Sequence, residues 1–326
     1  MATIASKGPY RKGLRDLGNG CYGYLQPDGS WGWSNAGLIV DSGESLLVDT
    51  LFDLKLTAAM LAAMRQAEPQ AAARIGTLVN THSNGDHTFG NQLVAGATII
   101  ASQACAEEMA ADGGAQRLQQ MKRNVDPSSP TGRFLAEIFA PFEFDGIEVA
   151  MPTLTFSGEL TRRVGNKTVR LIQVGPAHTG GDVIAYVPEN RVLFTGDMLF
   201  INGHPIIWAG PVGNWIKACQ LMLELDPETV VPGHGPVTDK SGVAAVKGYL
   251  EYIAAEARKR YDAGMPPAEA ARDIALADYD SWGDAERIVI NVFTLYREFA
   301  GGQPKMELRA DLFGLMAALR ADRRRP

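Results

Sequence analysis

Two short apolar runs, Gly37-Leu-Ile-Val40 and Ser45-Leu-Leu-Val-Asp49, flank the turn-prone Asp41-Ser-Gly43. Runs of this length, rich in aliphatic residues and bounded by turn formers, predict two strands. The period then lengthens. Leu56, Met60 and Met64 recur at helical spacing, which predicts an amphipathic helix from Leu54 to Gln66. Ile75 to Thr81 reads as another buried strand running into the loop Ser83-Asn84-Gly85, with a helix expected from His87 and a strand at Thr98-Ile-Ile-Ala101.

Over residues 102–150 the rhythm breaks. A helix is predicted near Gln103–Ala111, followed by a turn with Gly and Asp, a Pro/Ser cluster at Pro127–Pro130, and then Phe134, Phe139, Phe142 and Phe144. We read this stretch as a packed helical excursion, with a lid or pocket wall as the second reading, since long irregular connections often carry function. Strands return at Thr168–Val174, Asp182–Val187 and Arg191–Thr195. A helix from Trp215 to Leu225 leads to the strand Thr229-Val-Val-Pro232 and then Gly233-His234-Gly235. From Val243 the pattern is helical, through Val246, Leu250, Ile253 and Ala257 and later Ile288, Val292, Leu295 and Phe299.

No fixed-period repeat or low-complexity linker divides the chain. It reads as one α/β domain, with a core over about 20–240, a helical insertion over about 102–150 and C-terminal helices over about 241–326. Those helices either cap the domain or form the face of a homo-oligomer.

Composition narrows the class. Of the 326 residues, 46% are hydrophobic and 21% charged, enough for a sizeable core and unlike a disordered chain. A net charge of −6 argues against nucleic acid or an anionic membrane as partner and leaves a small molecule. The run Arg323-Arg324-Arg325 is read as a solvated tail. Met1 to Leu14 has no apolar core of leader length, and no stretch approaches the roughly 18 apolar residues of a membrane helix. Cys21, Cys105 and Cys219 are odd in number and far apart, so buried thiols in a reducing, cytoplasmic compartment are expected.

The chain has five histidines: His82, His87, His178, His204 and His234. Four lie at the ends of predicted apolar strands, in loops of Gly, Thr, Asn and Asp, which suggests several loops converging on one place. The densest cluster is Thr81-His82-Ser83-Asn84-Gly85-Asp86-His87. Residues two apart in an extended segment point the same way, so His82 and Asn84 can face one point. Asp86 and His87 are adjacent and diverge, so one of them serves a second point nearby. Imidazole and carboxylate suit zinc, iron or manganese, and no thiolate set suggests a structural zinc finger.

This segment resembles the His-x-His-x-Asp-His signature of the metallo-β-lactamase superfamily. The rest of that pattern follows in order: Gly175-Pro-Ala-His178-Thr-Gly-Gly-Asp182, Leu193-Phe-Thr-Gly-Asp197 and Val230-Val-Pro-Gly-His234-Gly235, with Leu47-Val-Asp49-Thr50 upstream. The likeness covers roughly residues 35–240. It implies a four-layer αββα sandwich with a C-terminal helical extension. It also implies one zinc on His82, His178 and Asp197 and another on Asp86, His87, His234 and the shared Asp197. Two ions about 3.5–4 Å apart would share a hydroxide formed near neutral pH, with Asp86 orienting it and moving a proton.

One position departs from the pattern: the second motif histidine is Asn84. An amide oxygen is a weaker ligand than imidazole, so Asn84 either coordinates weakly, yields to water, or leaves a single metal at Asp86, His87 and His234. His204, seven residues past Asp197, is a candidate substitute ligand or substrate contact. Asp49 and Thr81 are expected to hold ligand imidazoles by their other nitrogen, and Asp182 is given a similar supporting role. Trp31, Trp33, Trp208 and Trp215 are candidates for a pocket lining or for packing anchors.

Hydrolysis of a small ester, lactone, thioester or amide is the function expected. A mononuclear iron oxygenase using His82, His178 and Asp197 is the alternative. A non-catalytic binding protein is the third reading, disfavoured because Asp86, His87, Asp197 and His234 are all present.

Overall fold

The computed structural model describes residues 4, 6–94, 96–301 and 311–323. One sheet runs β1 (Gly13–Gly18), β2 (Cys21–Leu25), β3 (Ala36–Asp41), β4 (Glu44–Val48), β5 (Thr77–Val79), β6 (Thr98–Ser102) and β7 (Leu154–Phe156), each strand beside its neighbour in sequence. The other runs, from its far edge, β8 (Glu159–Val164), β9 (Lys167–Gln173), β10 (Val183–Val187), β11 (Val192–Phe194) and β12 (Thr229–Val231). Ser42 and Gly43, with φ of 52° and 81°, turn the chain from β3 to β4, the conformation that suits a two-residue hairpin.

The strands are apolar on both faces because both faces are covered. Leu38, Val40 and Leu47 point outward onto Met60, Leu61 and Met64 of α1 (Leu54–Ala67). Ile39, Leu46 and Val48 point inward and meet Val183, Ala185, Val187 and Phe194 of the second sheet. On that sheet's outer face, Ile184, Tyr186 and Leu193 join the largest hydrophobic cluster, which holds the C-terminal helices. The result is the expected αββα sandwich.

Four strands were not expected. β1, β7 and β8 are outer edges of the two sheets; β1 and β8 carry the charged residues that edges require, and β7 is only three residues long. β2 pairs with β1 around Asn19-Gly20. The helix expected from His87 is a single turn, α2 (Gly85–Thr88), followed by a 3-10 turn at Asn91–Leu93. There Gly90 passes against the Thr57 side chain of α1, closer than a residue with a Cβ could.

The 102–150 stretch folds as α3 (Gln103–Ala111), α4 (Gly114–Asn124) and α5 (Pro130–Phe139). Its Pro/Ser cluster starts a helix: Ser129 accepts from Gly132 N at 2.9 Å with Pro130 in the first turn. α6 begins at Val212, earlier than expected, and runs to Glu224. Beyond it lie α7 (Lys240–Asp262), α8 (Pro267–Asp273), α9 (Ile288–Phe299) and α10 (Leu312–Arg323). Val243, Val246, Leu250, Ile253 and Ala257 are fully buried on α7, so these helices cap the second sheet, while α10 packs on α5. The three cysteines are buried and free. Arg323 pairs with Asp280 at 2.9 Å; Arg324 and Arg325 lie outside the described residues. Among the described residues, no helix is long and apolar enough to cross a membrane.

Trp215 is fully buried on α6 and its indole N–H donates to Met198 O at 3.0 Å, one residue from Asp197. Trp215→Ala is expected to cost about 3–5 kcal/mol through cavity formation, read from a denaturant midpoint; Trp215→Phe is expected to cost less than half of that.

Candidate metal centre

Three strands deliver their side chains by the same offset. β5 ends at Val79, β11 at Phe194 and β12 at Val231, and His82, Asp197 and His234 each lie three residues further on. β4 and β5 are parallel with Val48 opposite Val79, and β11 and β12 are parallel with Phe194 opposite Val231. Parallel pairing puts the exits of each pair on one edge of its sheet. Close approach there needs glycine: a Cβ on Gly233 would strike the Asp197 carboxylate, and one on Gly196, at φ 51°, would strike Thr81.

The four imidazoles are held alike. His87 Nδ1 donates to Asp49 Oδ2 at 2.9 Å, His178 Nδ1 to the Ile206 carbonyl at 2.7 Å and His234 Nδ1 to the Gly29 carbonyl at 3.0 Å. Thr81 Oγ1 donates to Asp49 Oδ2 at 2.7 Å and so accepts from His82 Nδ1, 3.0 Å away. Asp49 also takes the Thr81 backbone N–H at 2.7 Å. With every Nδ1 bound outward, each Nε2 faces inward.

The inward atoms surround Asp197. Its Oδ1 lies 3.0 Å from His87 Nε2 and 3.4 Å from His234 Nε2; its Oδ2 lies 3.3 Å from His178 Nε2 and 3.7 Å from His82 Nε2. Asp86 Oδ2 is 3.2 Å from His234 Nε2 and 3.9 Å from His87 Nε2. The Asn84 amide oxygen sits 2.9 Å from His178 Nε2. Two triplets have ligand atoms within 4.8 Å of one another, His82–His87–Asp197 and Asp86–His87–His234. His82 Nε2 is buried without a hydrogen-bond partner, and His87 Nε2 and Asp197 Oδ1, also buried, lie 3.0 Å apart at an angle that makes no good hydrogen bond. Native proteins seldom leave such atoms unpaired, and an imidazole–carboxylate set of this kind fits a divalent metal.

Charge within the cluster is divided. Burial opposes a charge on His234, yet Asp197 and Asp86 push its imidazole up to about 9. His87 is likewise raised against burial by Asp197, Asp86 and Asp49. Burial keeps His82 and His178 low, hence neutral. Asp197 stays well below the usual carboxylate range, because His234, His87 and His82 outweigh the effect of its burial.

His204 is not part of this arrangement, and its expected role as ligand or substrate contact is corrected. It is fully buried beneath the C-terminal helices, where its Nδ1 lies 2.9 Å from Gly283 O and its ring packs on Tyr249 and Trp282. Trp31 and Trp208 line a cavity of about 420 Å³ whose floor includes Asn84, Asp86, Asp197 and His234. Trp33 packs on Phe142 instead, and Trp215 anchors α6. Asp182 accepts from Thr179 N and Oγ1 at 3.0 and 2.7 Å and shapes the His178 loop.

Two residues escaped the sequence reading. Glu108 on α3 takes Ser83 Oγ at 2.8 Å with one oxygen and Gly180 N at 2.7 Å with the other, tying the His82 loop to the His178 loop. Arg287, only 2% exposed, lies against Trp31 and Phe200 at 4.6 and 5.1 Å, and Phe200 in turn stacks on His234. No motif marks either residue; a glutamate in a helix and an arginine ahead of one look like ordinary surface positions.

Fold and site together define a metallo-hydrolase type of sandwich. Residues 29–234 match the metallo-β-lactamase superfamily, and the chain belongs to that family. It is 25% identical over 215 residues to the β-lactamase-like protein 2 homolog of Caenorhabditis elegans, covering 66% of this chain and 57% of that one. It is 26% identical over 214 residues to a hydroxyacylglutathione hydrolase of Methylococcus capsulatus, covering 62% and 67%. Against the α subunit of a Nocardioides 2,4-dinitroanisole O-demethylase, identity is 27% over 172 residues, covering 49% and 40%. The chain thus spans between about two fifths and two thirds of the length of these relatives. Among solved structures, the sec-alkylsulfatase Pisa1 of Pseudomonas superposes with a TM-score of 0.67 at 15% identity, covering 92% of this chain and 52% of that one. A metallo-β-lactamase from Pontibacter korlensis gives 0.56 at 17% identity, covering 74% and 99%.

Asp49→Asn removes the charge that orients His87 and, through Thr81, His82. Zinc affinity is expected to fall about 10–100-fold, measured by competition with a chromophoric chelator.

Proposed function

We propose that this chain is a metal-dependent hydrolase acting on a small ester, lactone, thioester or amide. The observation that carries the reading is a cluster of buried, poorly hydrogen-bonded ligand atoms at the floor of a cavity large enough for a substrate. His82, His178, Asn84 and Asp197 would hold one zinc ion, and Asp86, His87, His234 and Asp197 the other. A metal held there supplies a Lewis acid and lowers the pKa of bound water to about 7.

The chain's own groups supply the rest. Asp86 faces the cavity at 15% side-chain exposure, whereas Asp197 is at 5%, so Asp86 is the carboxylate placed to orient water and take its proton. Its backbone carbonyl accepts from Ser34 Oγ at 2.5 Å, which steadies the loop. His178 gives its Nδ1 proton to Ile206, so its neutral Nε2 presents a lone pair toward the Asn84 oxygen. Two acceptors 2.9 Å apart repel, so in the metal-free protein the amide turns its Nδ2–H to His178, and a cation between the two residues would draw the Asn84 oxygen in as a ligand.

Zinc titrated into metal-free protein is expected to give one tight and one much weaker event, with Asn84→His tightening the weak one at least about tenfold; two equally tight events in the parent protein would count against this assignment. Binding is expected to release roughly two protons at pH 7, those of His87 and His234, because ligand imidazoles must be neutral. His234 is raised from 6.5 to about 9, so its contribution to metal-free stability is full below pH 6.5 and lost as pH rises through 9. Apparent zinc affinity should climb over the same window, and calorimetry in two buffers of different ionisation enthalpy reads both effects. A screen of esters, lactones and thioesters should show turnover that a chelator abolishes and His87→Ala lowers at least about 100-fold. Oxygen uptake without hydrolysis would overturn the hydrolase reading.

A further inference from the structure

We propose that the cavity selects substrates with a neutral, apolar body of about a dozen non-hydrogen atoms and disfavours multiply charged carriers. The proposal names a substrate class for the hydrolase reading and depends on that reading for the reaction, not for binding.

The size follows from the space. About 420 Å³ corresponds to about fourteen water-sized units of roughly 30 Å³, and some of these stand over the metal floor. The chemistry follows from the walls. Trp31, Phe52, Phe89, Phe139, Trp208 and Phe313 surround the space, coming from six separate segments. Phe52 touches Phe89 and Phe139 at ring separations of 5.7 and 6.3 Å, and Trp31 touches Trp208 at 6.4 Å. The Trp31 indole N–H is already given to Glu286 Oε1 at 3.0 Å, so this ring offers its carbon face.

An anionic carrier would need cations on the walls, and away from the metal floor the lining offers few. Arg117 and Arg287 are the two cationic residues that border the cavity among the described residues. Arg117, whose side chain is 63% exposed, forms a surface pair with Asp112 at 2.7 Å, and Asp112 is itself a lining residue. Arg287 pairs with Asp284 at 3.0 Å, donates to His204 O at 3.0 Å and lies over the rings of Trp31 and Phe200. Its remaining Nε is buried out of reach. A charge held against the aromatic walls, away from the metal floor, would therefore lose water for little return. Apolar carbon gains instead: a methylene moved from water into such walls favours binding about fourfold, which is about 0.8 kcal/mol.

The test uses the zinc-loaded full chain and two matched series. Phenyl ketones from acetophenone to octanophenone, which cannot be hydrolysed, report binding by calorimetry; phenyl esters of the same acyl lengths report kcat/KM. Ketone affinity is expected to rise at least about 30-fold from acetophenone to hexanophenone, which has about a dozen non-hydrogen atoms, and to level off between octanophenone and dodecanophenone. Phe313→Asp should flatten the rise, while Phe313→Leu should keep most of it; both variants are checked for an unchanged melting transition. A flat ketone series in the parent protein, or tighter binding of a hydroxyacylglutathione than of octanophenone, would overturn the proposal. A steep ketone series with no turnover of any ester would support the apolar site and overturn the hydrolase reading alone.

Discussion

The centre depends on one constraint: each of four imidazoles spends its Nδ1 proton on an acceptor outside the cluster. Asp49 bears most of this. Its two oxygens take the His87 ring, the Thr81 hydroxyl and the Thr81 backbone N–H, and Thr81 passes the restraint on to His82. A carboxylate at 2% exposure is costly unless it is paired and hydrogen-bonded, and here every bond that satisfies it also aims a ligand. Ile206 O and Gly29 O do the same for His178 and His234 without charge. The backbone of distant loops is therefore part of the centre.

The ligand floor and the walls over it come from overlapping parts of the chain, and of the lining only Arg287 and Phe313 lie beyond residues 29–234. The inward-facing groups all leave strand ends or adjoining loops within the family-matched stretch of residues 29–234. There the parallel pairs β4–β5 and β11–β12 fix the offsets to within a residue. The walls over the floor also draw on α4, α5, the turn before α9 and α10. Arg287 joins the two parts. It lies over the rings of Trp31, in the wall, and Phe200, and Phe200 stacks at 5.0 Å on His234, so packing that sets the substrate space also sets the angle of one ligand ring.

His82, His87, His178 and His234 stood out in the sequence because they follow apolar strand runs in loops of small and polar residues, and the likeness to the superfamily pattern added Asp86 and Asp197 to them. The two-faced apolar strands could be read from those same runs. The edge strands β1 and β8 could not, since solvent replaces part of the apolar signal with charged residues, and β7, at three residues, was too short to show a pattern. His204 was misjudged because nearness in sequence to Asp197 does not fix direction: the chain runs into a bridge between Gly203 and Gly283 that turns the ring toward Tyr249. Glu108 was invisible because its two partners, Ser83 and Gly180, lie 25 residues before it and 72 residues after it.

The two halves of the centre are unequal for a reason beyond the ligand strength of Asn84. On the proposed assignment, the half with His82, His178 and Asn84 owns no charge of its own and shares only Asp197. The half with His87 and His234 has Asp86 in addition. At an effective dielectric constant of 20, each unit charge at 4 Å is worth on the order of 4 kcal/mol, so a dication feels the missing carboxylate more than the exchange of imidazole for amide. A histidine at 84 would restore ligand strength and leave the charge imbalance in place. The second half fills first on either count, and it is the half whose carboxylate, Asp86, faces the cavity.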